Sequence, residues 1–221
     1  MDEPELTHRD EAGRSLPLLV WRLPKPARAI SSAVLGGGLG RCGWVVNATV
    51  PMSYDRRDPA AHLRSLAAGL GLRGPGVGLL TGVDVSEVVH VTEDGVRLWA
   101  TVGLGTPIQA AAPPPAPALA ERVGTVNFVV WVPRRLSEGA LVNAVATVTE
   151  AKTQAIRDLG LDATGTATDA VTVLCPPNGP VAAYGGPRSR WGAPLARTAY
   201  EAVLFSGEPA RRADPASRSA T

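Results

Sequence analysis

The sequence predicts an α+β fold, with a mixed, largely antiparallel β-sheet or sheets packed against a few helices; a layered α/β/β/α stack is one arrangement of such elements. Three observations carry this expectation. Short apolar runs bounded by Gly or Pro crowd the first half of the chain, as strands do. Segments with helical periodicity come mostly late, which argues against a repeating βαβ plan. Finally, 45% hydrophobic residues supply a core while 24 glycines and 20 prolines supply many turns, a balance that excludes global disorder.

In chain order, residues 1–14 and 207–221 are polar, rich in Arg, Asp, Pro and Ser, and read as mobile tails around a single domain spanning 15–206. Strands are expected over 18–23, 29–34, 42–50 and 77–80. A helix over 59–72 interrupts them: Asp58 is a good N-cap, Pro59 suits the first helical position, and a Gly-rich stretch follows. Runs 85–92 and 96–102 flank Glu93-Asp94-Gly95, where an Asp-Gly pair supplies the positive φ angles of a tight hairpin. The segment 110–120, AAAPPPAPALA, offers no regular ladder through its prolines and reads as an extended surface connection. Beyond it come a strand over 123–132, a long helix over 136–159 closed by Gly160, a strand over 170–174 and a helix over 190–205.

Charge and motif content narrow the function. With 22 Lys and Arg against 20 Asp and Glu, binding driven by nucleic-acid phosphates is disfavoured. Apolar runs such as 127–132 are too short to span a bilayer, and the acidic, polar first residues do not resemble an export segment, so a cytoplasmic location is expected. Cys42 and Cys175 then read as reduced, buried thiols. The three histidines, His8, His62 and His90, show no HExxH spacing and there is no CxxC, which argues against a dedicated metal site. Gly36-Gly37-Gly38-Leu39-Gly40 lacks the lysine and following helix of a phosphate loop. It reads as a tight turn open to a ligand, or as an ordinary loop.

The long helix is more informative. At about 100° per residue, Leu141, Val145, Val148, Ala155, Ile156 and Leu159 share one stripe, and Lys152 falls among them. Its ammonium must snorkel out or find a buried partner. Lys152 is one of only two lysines among the 22 basic residues, which suggests that a compact or titratable amine is wanted here where arginine is freely used elsewhere. The opposite face carries Asn143, Thr147, Glu150 and Gln154, either a solvated face or the floor of a cleft. Thr164-Gly165-Thr166-Ala167-Thr168-Asp169 packs three hydroxyls and a carboxylate into a turn before a buried strand, more than a connector needs, although such residues also serve their own turns. Ser31 and Ser32 place two hydroxyls in an apolar strand, as buried groups satisfied by backbone or as contacts to a substrate.

Four of these segments together resemble the adenosylcobinamide amidohydrolases, the CbiZ family of cobamide salvage. They are Ile30-Ser31-Ser32-Ala33-Val34 with the glycines after it, Gly124-Thr125-Val126-Asn127, the helix sequence LSEGALVNAVATVTEAKT, and Thr164 through Ala170. The chain departs from the family pattern at Gly36 and Thr106, where members usually carry asparagine. The resemblance implies hydrolysis of the amide joining aminopropanol to the corrin ring of adenosylcobinamide, giving adenosylcobyric acid for coenzyme B12 synthesis. Rival readings are a corrinoid-binding protein without catalysis and an unrelated Ser/Thr-dependent amidase on the same scaffold.

Amide hydrolysis needs a nucleophile, an oxyanion site and a proton for the leaving amine, none of which requires a cofactor; the cobalt belongs to the substrate. Lys152 beside a hydroxyl of Thr166 or Ser32, with Asp169 orienting it, would form a Ser/Thr-Lys arrangement. Glu150 is the alternative base, but lies about 160° from Lys152 on an ideal helix. Backbone N–H groups of Gly36, Gly37, Gly38 or Gly165 could supply the oxyanion site, and Ser31, Asn127, Asn143 and Thr168 could contact the amide-fringed corrin. Trp44, Trp99 and Trp131 are candidate walls or core. The implied partner is a small corrinoid, with no nucleic acid or membrane; homodimerisation stays open.

Overall fold

The computed structural model describes residues 1–11, 13–113 and 124–213. Eight strands and three helices follow one another as β1 (Glu5–Glu11), β2 (Arg14–Ser31), β3 (Gly38–Thr49), α1 (Pro59–Gly69), β4 (Val77–Thr81), β5 (Val89–Glu93), β6 (Val96–Gly103), β7 (Thr125–Trp131), α2 (Glu138–Asp158), β8 (Ala170–Cys175) and α3 (Gly192–Ala213). The strands form one mixed sheet in the order β4-β3-β2-β8-β7-β6-β5, with β1 also on β2. Among the described strands only β3/β4 and β7/β8 are parallel. Each parallel pair is joined through a helix, α1 or α2, because parallel neighbours need a long crossover. The α+β class expected from sequence is thus observed, with two βαβ units set in an otherwise antiparallel sheet.

The sheet folds back on itself. Leu19 and Trp21 of β2, Val45 of β3 and Leu79 of β4 share an apolar cluster with Trp99 of β6, Val129 of β7 and Leu174 of β8. Trp21 and Trp99 meet edge to face across this layer, with centroids 5.8 Å apart. On the outer side of one half, Leu18, Val20, Trp44 and Val46 pack with Ala67 of α1. On the outer side of the other, Val126, Phe128 and Val130 pack with Leu141, Val148 and Ile156 of α2 and Leu195 and Val203 of α3. The alternation of β7 between these clusters follows from the two-residue period of a strand.

Local signals placed most elements. Asp58 accepts from Ala61 N (2.7 Å) at the start of α1, with Pro59 next. Ser137 caps α2 by accepting from Ala140 N (3.1 Å). Asp94 and Gly95 hold φ of 50° and 81° between β5 and β6. Several boundaries differ, and β3 starts at Gly38, so Gly38 to Gly40 of the expected turn or loop belong to the strand. The expected strands over 18–23 and 29–34 are one strand, β2, whose pairing with β3 slips between Arg22 and Ala27; Pro24 and Pro26 cannot donate to a ladder, so the strand bulges rather than ends. The run 85–92 is a 3-10 turn (Val85–Glu87) followed by β5. Helix α1 ends at Gly69.

The tail assignments need correction. Residues 5–11, expected to be mobile, form β1, paired with β2 from Glu5↔Val20 to Glu11↔Arg14. Its charged, half-exposed alternation is that of an edge strand protected against further pairing, which reads like a tail in sequence. Glu3 anchors the start by accepting from Trp99 Nε1 (2.8 Å) and Arg97 (3.0 Å). At the other end α3 continues to Ala213, past the expected boundary at 206. The remainder of the expected C-terminal tail, residues 214–221, lies outside the described residues, as do 114–120 of the Pro-rich connection and Val123 of the expected strand. No described helix is long and apolar enough to cross a membrane.

Candidate active site

Lys152 is 7% exposed, inside the stripe that its spacing defined, and its Nζ makes an ion pair with Asp169 Oδ2. Asp169 is held from three further directions. Val126 N donates to Oδ1 (2.9 Å), Thr166 N to Oδ2 (3.0 Å), and the Thr166 hydroxyl to Oδ1. Four donors match the four lone-pair positions of a carboxylate, so its acceptor capacity is filled. The turn before β8 is thereby tied both to α2 and to the start of β7. Gly165 is required at this point: a Cβ there would collide with Lys152 Nζ and Asp169 Oδ2.

Asp169 forms part of the wall of a cavity of about 490 Å³. The wall is completed by Ser32 to Val34 after β2, Val50 to Met52 after β3, Tyr54 and Pro59 leading into α1, Leu79 to Gly82 at the end of β4, Thr125 and Asn127 of β7, and Thr168 and Ala170. The lining is mostly apolar with a few hydroxyl and amide groups at one end, the usual character of a small-molecule site. Thr168 Oγ1 and Thr125 Oγ1 are hydrogen bonded at 2.7 Å, and Thr168 also donates to Gly124 O (3.2 Å). Ser32 is exposed to the cavity; its Oγ accepts from Val171 N (3.0 Å) and its N–H donates to Val171 O (3.1 Å), which leaves the hydroxyl proton free to turn inward.

Asn127 is 1% exposed. Its Nδ2 donates to Asn47 Oδ1 (3.0 Å) and Leu80 O (2.9 Å), and Asn47 Nδ2 donates in turn to Thr101 Oγ1 (3.0 Å), a polar bridge between the two halves of the sheet. The Asn127 Oδ1 atom is buried without a partner. An orphan acceptor of this kind costs about 1 to 3 kcal/mol unless something else fills it.

The structure sorts the sequence candidates. Asp169, Ser32, Asn127 and Thr168 share the cavity wall, with Lys152, Thr166 and Gly165 packed behind Asp169. Ser31 does not face it: buried, it bonds to Thr172 Oγ1 (2.8 Å) and takes Ala33 N (3.1 Å), which is its structural reading. Glu150 and Asn143 are exposed on the other face of α2 and are not in the cavity wall. Thr147 from that face is buried, bonding Gly185 O (2.9 Å). Gly37 lines a separate hollow with Arg41, Trp44 and Arg64, because the loop folds against the start of β4, where a Cβ on Gly36 would meet Gly76 O, and Gly38 is in neither wall. Trp99 is core, and neither Trp44 nor Trp131 walls the cavity.

Both cysteines are free and buried; burial pushes the Cys42 thiol up to about 11 and raises that of Cys175, which keeps both unreactive. Among the described residues no group of three His, Cys, Asp or Glu could hold a metal ion. Sequence reasoning missed Tyr54 and the apolar rim of Val34, Val50 and Met52. The one available signal was the run Val50-Pro51-Met52-Ser53-Tyr54, which puts apolar and aromatic residues into the connection between a strand and a helix.

Residues 3–213 match the family described as adenosylcobinamide amidohydrolase, CbiZ. The adenosylcobinamide amidohydrolase of Halobacterium salinarum is 34% identical over 204 residues, covering 89% of this chain and 87% of the relative. That of Methanosarcina mazei is 32% identical over 152 residues, covering 67% of this chain and 72% of the relative. A shorter stretch of 62 residues is 40% identical to an uncharacterized protein of Methanocaldococcus jannaschii, covering 24% of each. With a match over nearly all the described residues and these relatives, the chain belongs to the adenosylcobinamide amidohydrolase family.

Proposed function

We propose that the cavity beside Asp169 is where this chain hydrolyses adenosylcobinamide, releasing adenosylcobyric acid and aminopropanol for cobamide salvage. The observation that carries the assignment of the site is the convergence on one wall of a fixed carboxylate, an inward-free Ser32 hydroxyl and the bonded hydroxyls of Thr125 and Thr168. A cavity of about 490 Å³ suits one arm of a corrinoid with its amide. The broad ring stays at the apolar rim of Val34, Met52 and Tyr54.

Each part then has a task. Asn127, bonded to Asn47 and to Leu80 O, holds the β4 and β7 sides of the cavity wall in register and so fixes where the scissile amide sits. Ser32 presents the attacking oxygen, its own or that of a water it holds; the C–O bond forms as the C–N bond breaks, the attacking O–H proton passes to the departing aminopropanol nitrogen, and a water completes hydrolysis where Ser32 itself is acylated. Lys152 and Thr166 are positioning residues: they saturate Asp169 and so freeze the turn that sets Thr168 and the start of β8 against Ser32. Glu150, on the far side of α2, has no part in this reading. The test is product formation from adenosylcobinamide by Ser32→Ala and Asn127→Ala, each checked for folding by its melting temperature. Loss of at least about 100-fold in kcat/KM for Ser32→Ala is expected, in keeping with removal of a group that meets the reacting atoms; near-normal rates in both folded variants would move the site elsewhere.

A further inference from the structure

Tyr54 stands on the cavity wall, and its hydroxyl is 3.1 Å from Nδ1 of His62, with the two rings stacked at 5.6 Å and 21°. His62 sits in α1 and is 6% exposed. Its Nε2 lies 3.5 Å from Glu11 Oε1 at the end of β1. A carboxylate only accepts, so Glu11 fixes the proton on Nε2 and leaves Nδ1 to accept from the tyrosine. Glu11 is itself clamped by Arg56 (2.6 Å) and by Arg9 Nε (3.0 Å), and Arg9 is tied to Thr49 O (2.7 Å) at the end of β3. Three residues from β1, the loop after β3, and α1 thus form one chain ending at the cavity.

We propose that Glu11, His62 and Tyr54 form a hydrogen-bonded relay that sets the polarity of the phenol facing the substrate, so that Tyr54 accepts a hydrogen bond from a carboxamide N–H or hydroxyl of the corrinoid, and binding weakens when His62 takes up a proton. This rests on the cavity being the corrinoid site. With His62 neutral, the Tyr54 proton is committed to Nδ1 and its oxygen offers lone pairs to the cavity. With His62 protonated, Nδ1–H becomes a donor, Tyr54 accepts it, and the phenol proton is turned toward the ligand's own donor.

The charges around the relay favour the accepting form near neutrality. Burial is the largest influence on His62 and, with Arg56 and Arg9, outweighs the attraction of Glu11, so its pKa lies below the ordinary 6.5. Burial also raises the Tyr54 pKa, assisted by Glu11 and Asp58 against Arg56 and Arg9, which keeps the phenol protonated. Burial works to raise Glu11 as well, but the bonds from Arg9 and Arg56 hold it below the usual carboxylate range, so it stays an acceptor. Tyr54 is a binding residue in this scheme; His62 and Glu11 position it.

The experiment measures Kd by calorimetry, and KM and kcat by product formation, for adenosylcobinamide between about pH 5 and about pH 8. It uses the full chain, Tyr54→Phe and His62→Gln, with melting temperatures as folding controls. The unaltered chain is expected to lose affinity several-fold on the acid side of the ordinary histidine value, with kcat little changed. Tyr54→Phe should raise Kd and KM about 3- to 10-fold, the worth of one hydrogen bond, and abolish the pH dependence. His62→Gln should abolish it too. Kd for Tyr54→Phe within two-fold of the unaltered chain, or a surviving acid limb in His62→Gln, overturns the relay. Binding without release of adenosylcobyric acid would overturn the hydrolase reading while the Kd series still judges the relay, and absence of binding would overturn both.

Discussion

Replacing Lys152 by methionine keeps most of the side chain's length and removes its charge, which isolates the ion pair with Asp169. The Asp169 side chain is 13% exposed, so its carboxylate would be left largely buried and without its cation. Breaking such a pair costs about 3 to 5 kcal/mol. The three donors that remain, Val126 N, Thr166 N and the Thr166 hydroxyl, hold part of the charge and favour the lower end, about 3 kcal/mol. For a urea slope of about 2 to 3 kcal/mol per molar, the unfolding midpoint should fall by about 1 to 1.5 M. The assay is urea unfolding of K152M, D169N and the double variant. Because the two residues act as one unit, the double variant should be more stable than the sum of the singles requires, by about 2 kcal/mol. A K152M midpoint within about 0.3 M of the unaltered chain, or additivity within about 0.5 kcal/mol, would refute the argument.

Three further outcomes are expected. Gly36→Ala should cost about 2 to 4 kcal/mol, since φ is +73° and a Cβ would strike the Gly76 carbonyl; a melting temperature unchanged in this variant would show that the loop does not pack as described. Burial holds both His62 and His90 below the ordinary 6.5, so the unfolded chain takes up protons first as the pH falls; the stability they contribute is complete above pH 6.5 and is lost as the pH drops through their folded values. Denaturation midpoints should therefore decline on the acid side of 6.5, less steeply in His62→Gln, and a flat profile from about pH 7 to about pH 5 would contradict this. Exhaustive chelation should leave the hydrolytic rate unchanged, given no metal-ligand cluster among the described residues; a loss restored by added zinc would contradict it.

Lys152 was legible because a helix repeats every 3.6 residues, so its place among Leu141, Val148 and Ile156 left its ammonium either to snorkel out or to find a buried partner, and the structure gives the second. Asp169 was legible because its turn held more hydrogen-bonding groups than a connector uses. The role of the pair was less legible: periodicity says which face a residue takes, whereas only the fold shows that four donors saturate the carboxylate. Glu150 and Asn143 shared the helix and the motif but sit on its exposed face. Gly37 and Gly38 followed the right strand, yet Gly36 turns their loop toward Gly76 and away from the cavity. The Glu11, His62 and Tyr54 chain left no local trace, since β1 looks like a solvated tail and its partners are about 45 residues away in sequence, as the Arg56 to Glu11 bond illustrates with a separation of 45.

The most direct test is chromatographic. Purified chain incubated with adenosylcobinamide should convert it into adenosylcobyric acid with an equimolar yield of aminopropanol, and the conversion should be lost in Ser32→Ala while that variant keeps its melting temperature. Adenosylcobinamide recovered intact after prolonged incubation with folded, unaltered protein would contradict the account.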